Sequence, residues 1–323
     1  MADLAPAEGP LLDQILAASY DLWNEGLSPA AYRRYYAAQI GLPWGREHLR
    51  RLALVDGGEV LASAKEYLLD ATLDGDAIRL IGIGAVFTPP AHRGHGLARE
   101  LIERMLERAW ADGVDAALLF SEIGPAYYAR LGFRAIPTAN LRLRVIESVR
   151  YGAPATMVRG GDDRDFAAIA WMNEKRAAAF RFHLNRSADL VQFAIARKRL
   201  LAGLSPAGAR ELQFFVAEEG ASAVAYVVIS VRGDDWTLEE CGDRDPTGAR
   251  VGAILQVLIA REPTAQRPVI RAWLPDGFRP PQIAVTDEQQ SGEVMMIRAL
   301  TERASGLAPL APADVCYWHG DAF

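Results

Sequence analysis

One stretch constrains the fold more than any other: AVFTPPAHRGHGLARELIERMLERAW, from Ala85 to Trp110. An apolar run stops at two prolines, a basic turn punctuated by Gly94 and Gly96 follows, and a long helical pattern begins at Leu97. Leu97, Leu101, Ile102, Met105, Leu106, Ala109 and Trp110 fall on one stripe, with Glu100, Glu103, Arg104, Glu107 and Arg108 on the opposite face. Such a helix has to lay its stripe on a sheet, so the chain is an α/β layered protein. The start of a helix carries roughly +0.5 elementary charge and several unpaired N–H groups. Glycines there let a large anion touch the backbone, and Arg93 adds a fixed positive charge. A phosphate or pyrophosphate is the guest that this turn invites.

The other elements follow from pattern. LLDQILAASYDLWNEG predicts a helix stopped by Gly26, and SPAAYRRYYAAQIG a second, with Ser28 as N-cap and Pro29 at the first helical position. HLRRLALVDGG predicts a strand, and EVLASAKEYLLDATLDGDAIRLIGIGAVF two long strands joined at Asp74-Gly75. VDAALLFS reads as a buried strand, GPAYYARLGF as a short helix ended by Gly132, and NLRLRVIES as an alternating strand. The second half repeats the order: two helices, three strands, the helix TGARVGAILQVLIA, the strand RPVIRAWL, and a last strand GEVMMIRAL. With 323 residues, half of them apolar, the chain suits two domains. The expectation is a domain over 1–150, a linker at RYGAPAT, and a similar but altered domain over 151–323.

Several functions are disfavoured. A net charge of −6 argues against a nucleic-acid partner and is compatible with a cationic substrate. No apolar run approaches the roughly 18 residues that span a bilayer, and MADLAPAEGP lacks the apolar segment of a signal peptide, so a cytoplasmic protein is expected. Cys241 and Cys316 have no CxxC partner, and His92 and His95 flank the anion turn without a third ligand, so no metal is expected. A P-loop would need GxxxxGK[ST]. The dinucleotide fingerprint GxGxxG fails because Arg99 stands where GHGLAR needs its third glycine.

RGHGLA fits [Q/R]-x-x-G-x-[G/A] through Arg93, Gly96 and Ala98, and YYARLGF sets a tyrosine ahead of Gly-Phe. Together, in this element order over about residues 10–150, they resemble the Gcn5-related N-acetyltransferase (GNAT) superfamily. FSEIGPAYYARLGF and the altered second half are similar to its tandem-domain bacterial branch, the enhanced-intracellular-survival type. A counterpart of that type's third, sterol-carrier-like domain is not expected within these 323 residues. The resemblance implies two tandem GNAT-like domains, each a mixed, mostly antiparallel sheet flanked by helices. It further implies acetyl-coenzyme A as cosubstrate and transfer of its acetyl group to a small-molecule primary amine by direct attack on the thioester.

The resemblance also assigns residues. Backbone groups of Val86, Phe87 and Thr88 would hold the pantetheine arm, and the amides of Arg93, Gly94, His95, Gly96, Leu97 and Ala98 the pyrophosphate, with Ser121 a further contact. Tyr128 would be the general acid. A phenol near pKa 10 protonates a thiolate near 8.5 at a cost of about 2 kcal/mol, tolerable in a concerted step. The base is open among Glu122, Glu66, water and, since YWHGDAF is an unusually aromatic tail, the C-terminal carboxylate of Phe323 or the side chain of Asp321. In the second half, Asp243, Asp245 and Pro246 stand where phosphates need basic groups, so that half would shape the acceptor pocket or a subunit interface. A coenzyme-binding or interaction module without turnover, transfer to a protein N-terminus or lysine, and assembly into a homo-oligomer all stay open.

Overall fold

The computed structural model describes residues 2–146, 157–263, 267–308 and 310–323. The linker expected at 150–156 lies outside the described residues. The chain divides into two compact units: Met1–Pro137 with Gly292–Ala311 and Phe323, and Thr138–Ser291 with Pro312–Ala322.

The first unit opens with β1 (Asp3–Pro6), α1 (Gly9–Ala18), α2 (Tyr20–Trp23), α3 (Pro29–Gly41) and α4 (Pro43–His48). Ser28 caps α3 as its sequence requires, its Oγ accepting from the Ala31 amide at 3.2 Å. The strands β2 (Leu49–Asp56), β3 (Glu59–Leu73) and β4 (Asp76–Phe87) form an antiparallel meander. The β3–β4 turn has Asp74 and Gly75 both at positive φ, as a two-residue hairpin needs. The chain then crosses through α5 (Leu97–Ala111) to β5 (Ala116–Ser121), which runs parallel to β4. Most of the α5 stripe is buried as its spacing predicts, Leu101, Ile102, Met105, Leu106 and Ala109 packing with Leu52, Leu54, Ala62, Ala64, Ile81 and Ile83, but Trp110, read as part of it, is 63% exposed in the last turn of the helix. Each buried aliphatic chain contributes about 1.5–3 kcal/mol, which fixes the helix on the sheet and its first turn in space. A short helix α6 (Ala126–Ala129) and strand β6 (Arg134–Ile136) follow.

In the second unit, β7 (Ala139–Val145) is followed by β8 (Met157–Gly160), α7 (Phe166–Ala177), β9 (Phe182–Leu184) and α8 (Ala188–Leu204). Then come β10 (Glu211–Glu219), β11 (Ser222–Arg232), β12 (Asp235–Asp243), α9 (Ala249–Ile259), β13 (Ile270–Ala272) and β14 (Ile283–Gln290). Its sheet runs β14-β7-β13-β12-β11-β10-β8, with β12 and β13 parallel across α9.

The domain boundary differs from the expected one. The strand NLRLRVIES, read as closing a first domain at 150, is β7, and it pairs with β13 and β14 in the second sheet. Its place is taken by β15 (Val294–Ala299), which lies between β5 and β6, so that the first sheet runs β1-β2-β3-β4-β5-β15-β6. β7 alternates, with Leu141 and Leu143 buried and Arg142 and Arg144 exposed, whereas β15 is buried continuously from Val294 to Ile297. Tertiary pairing, not chain order, decides which sheet each completes. Two mixed, mostly antiparallel sheets flanked by helices result, one in each unit. Among the described residues, no helix is long and apolar enough to cross a membrane.

Candidate active site

Strands β4 and β5 pair only from Leu80/Ala116 to Ile83/Leu119. Beyond that point β4 carries a bulge. Gly84 pairs with Lys65 and Phe87 with Ser63, leaving Ala85 and Val86 opposite the single residue Ala64. Ala85 sits at φ +47, a left-handed conformation that non-glycine residues avoid. The bulge turns the end of β4 away from β5 and frees one edge of Val86, Phe87 and Thr88. Thr88 Oγ1 is buried with no hydrogen-bond partner. Phe87 is buried against Trp23, and Val86 and Leu97 border the α5 core.

At the head of α5, Gly94 and Gly96 take φ of +83 and +78. No side chain caps the helix, and its first internal bond runs from the Glu100 amide to the Gly96 carbonyl. A Cβ on either glycine would meet nothing within 4 Å, so the turn is an open cradle of backbone N–H groups. Arg93 Nε donates to the Thr88 carbonyl at 3.1 Å, tying the cradle to the end of β4. His92 Nε2 lies 2.9 Å from Glu59 and His95 Nδ1 3.3 Å from the His92 carbonyl, so both imidazoles brace the turn. These features fit a coenzyme A: a strand edge beyond its pairing with β5, then an open glycine turn at a helix N-terminus.

The second unit has the same helix with the cradle filled. Asp243 accepts from the Arg250 and Asp245 amides at 2.8 and 2.9 Å, and Asp245 accepts from the Thr247 amide at 2.9 Å. A Cβ on Gly248 would stand 2.6 Å from the Phe278 ring. The carboxylate of Asp243 is itself the anion at the head of α9.

Tyr128, on α6, is buried in the core with Leu119, Ile83 and Val294. Its ring meets Tyr127 and Phe133 edge-on, at 5.0 and 6.2 Å. Burial, helped by Tyr127 and Glu122, pushes its hydroxyl up to about 12. The phenol is therefore a firmer proton holder than the value near 10 used above. Glu122 is exposed at the end of β5, its carboxyl raised first by partial burial and then by Glu293 and Glu25. Glu293 and Glu25 thus lie close enough to act on Glu122 by charge. Ser121 is turned inward, its Oγ donating to the Gly124 carbonyl at 2.6 Å, so it shapes the loop under Tyr128.

Glu66 is not available as a base. It is buried between Arg108, at 2.5 Å, and Arg50, at 3.1 Å, on the face carrying α5. Phe323 is placed on the opposite face. Its ring lies 4.4 Å from Tyr67 and 5.6 Å from Phe120, directly over Gly82, and its main-chain oxygen lies beside Gly84. Strand β4 can accept it only because Gly82 and Gly84 have no side chains on that face. The sequence reading missed this platform. The alternation of glycine in LIGIGAVF was the signal that could have found it.

Comparisons with known proteins bear on the fold. Residues 13–136 match the family model of an acetyltransferase (GNAT) domain. No curated protein matches the chain. Among solved structures, a GCN5-related N-acetyltransferase from Kribbella flavida is similar at TM-score 0.66 and 18% identity, over 93% of this chain and 71% of that one. One from Anabaena variabilis ATCC 29413 gives 0.67 and 12%, over 93% and 73%. Eis1 from Mycobacterium abscessus gives 0.58 and 16%, over 93% and 74%.

Proposed function

From the premise that residues 13–136 are a GNAT acetyltransferase domain of the tandem bacterial type, we propose that this protein transfers the acetyl group of acetyl-coenzyme A to a primary amine of a small molecule in the cytoplasm. The observation that carries this reading is the pairing of the open turn at Gly94–Ala98 with the edge of β4 beyond its last pairing with β5 at Ile83/Leu119. The corresponding turn of the second unit is closed by Asp243, so one coenzyme is bound per chain. Acetyl-coenzyme A supplies a thioester carbonyl as electrophile.

The chain's own residues supply the rest. Backbone groups of Val86, Phe87 and Thr88 hold the arm, and the amides from Gly94 to Ala98 the pyrophosphate; the Arg93 amide, expected among them, is instead given to the Pro90 carbonyl at 3.3 Å. Glu25, Glu122 and Glu293 make the local field negative, which draws in a protonated amine. Glu122, whose carboxyl is already raised, takes the amine's proton, directly or through a water. Phe323 presents a main-chain oxygen beside Gly84 that accepts a hydrogen bond from the amine and orients it. Tyr128 donates to the departing sulfur. With its hydroxyl near 12 and a thiol near 8.5, full proton transfer costs about 5 kcal/mol. The proton therefore moves late, as the carbon–sulfur bond breaks, and the hydroxyl acts mainly by hydrogen bonding.

The test is Tyr128→Phe, assayed by thiol release against a panel of amines. The expected result is a 10²-fold or greater fall in kcat with acetyl-coenzyme A affinity kept. Undiminished turnover would remove Tyr128 from the chemistry. An absence of thiol release by the unmodified protein, with every amine tried, would leave a binding module.

A further inference from the structure

Arg51 on β2 is the least expected residue of the first unit. It is 4% exposed, while its neighbour Arg50 reaches Glu66 on the other face. Its Nη2 donates to Ser63 Oγ at 3.1 Å and to the Ala85 carbonyl at 3.3 Å, and its Nε is buried without a partner. Beyond its own desolvation, the largest influences on it are the phenols of Tyr36, Tyr32 and Tyr67, with Tyr36 also close enough to hydrogen-bond to it. Burial holds Tyr36 up at about 12, so no phenolate balances the guanidinium at neutral pH. Burial works against this charge before any other influence, and an apolar chain of similar volume would serve stability as well or better. Something other than stability has to account for it.

Its one bond to a strained group supplies the reason. Ala85 is the residue at φ +47 in the bulge that peels β4 from β5. A donor on the Ala85 carbonyl holds that peptide in its left-handed setting, and a charged donor holds it more firmly than a neutral one. The three residues after the bulge's first position are Val86, Phe87 and Thr88. Their edge is aimed by the peptide that Arg51 grips.

We propose that Arg51 is a positioning residue for the coenzyme: it locks the Ala85 bulge and thereby presets the free edge of β4 for the pantetheine arm. This rests on the reading of Val86–Thr88 as the coenzyme edge. It places the determinant of coenzyme affinity two strands away, on a residue that never touches the ligand.

The experiment measures acetyl-coenzyme A affinity by calorimetry, and the melting temperature, on the full chain with Arg51→Met, Arg51→Lys, and Arg51→Met combined with Ala85→Gly. Glycine adopts positive φ without a tether, so it should replace what the arginine does. Arg51→Met is expected to weaken the coenzyme about tenfold, the scale of one charge-assisted hydrogen bond, with the melting temperature unchanged or raised. Arg51→Lys should lose less. Adding Ala85→Gly to Arg51→Met should recover affinity to within about threefold of the original. Unchanged affinity in Arg51→Met overturns the proposal. So does a loss that tracks a lower melting temperature and is not recovered by Ala85→Gly, which marks a purely structural role. If Arg51→Met does not fold, Arg51→Lys with and without Ala85→Gly carries the same comparison. If the unmodified protein binds no acetyl-coenzyme A, the coenzyme reading fails first and this inference falls with it.

Discussion

Tyr128 and Tyr36 hold their protons for the same reason: both phenols are buried, and both are raised to about 12. Above pH 10 the unfolded chain loses these protons while the folded chain keeps them, so the folded state binds more protons and stability falls as pH rises. The loss runs from about pH 10 to 12 and amounts to roughly 3 kcal/mol for each residue. Urea midpoints should drop across that window, and Tyr36→Phe should flatten the drop. The same shift bears on turnover. A Tyr128 hydroxyl at about 12 stays protonated at pH 9–10, so kcat should not decline there through loss of the acid. A kcat limb titrating near pH 10 in the unmodified enzyme and absent from Tyr128→Phe would contradict its buried setting.

At the scale of elements, α5 and its turn were legible because the information is local. A strand, a glycine turn and a stripe at helical spacing need no partner to be read. Leu101→Ala, at the centre of that stripe, should cost about 2–5 kcal/mol, measurable by denaturant unfolding. Strand β4 holds what was not legible. Its glycines read as ordinary strand residues until Phe323 is seen over Gly82, a contact between residues 241 positions apart. Gly82→Ala puts a methyl group into the Phe323 ring. The ring must leave, and turnover should fall at least tenfold while the coenzyme still binds. Retained turnover would show that Phe323 does not orient the amine. Arg50 and Arg51 make the same point about register. One of the pair had to face each side of the sheet, but only the pairing of Arg51 with Lys65 settles which. Glu66, considered as a base from sequence, faces two guanidinium groups for the same reason.

For the molecule as a whole, the order of elements could be read from sequence but the assignment of two strands to their sheets could not. Strand β7 looked like the natural end of the first domain, yet the first sheet is completed by β15. A fragment of residues 1–150 therefore lacks the strand that bridges β5 and β6, and should show no cooperative unfolding by circular dichroism. A sharp transition in that fragment would mean that β15 is dispensable. The altered second unit follows from chemistry at one turn, where Asp243 occupies the amides that the first unit leaves open. The most direct measurement is calorimetric titration of acetyl-coenzyme A into the full chain and into a Gly94→Ala, Gly96→Ala variant. The account predicts one site per chain, weakened at least tenfold in the variant. No association at millimolar concentration, or equal binding to both proteins, would contradict it.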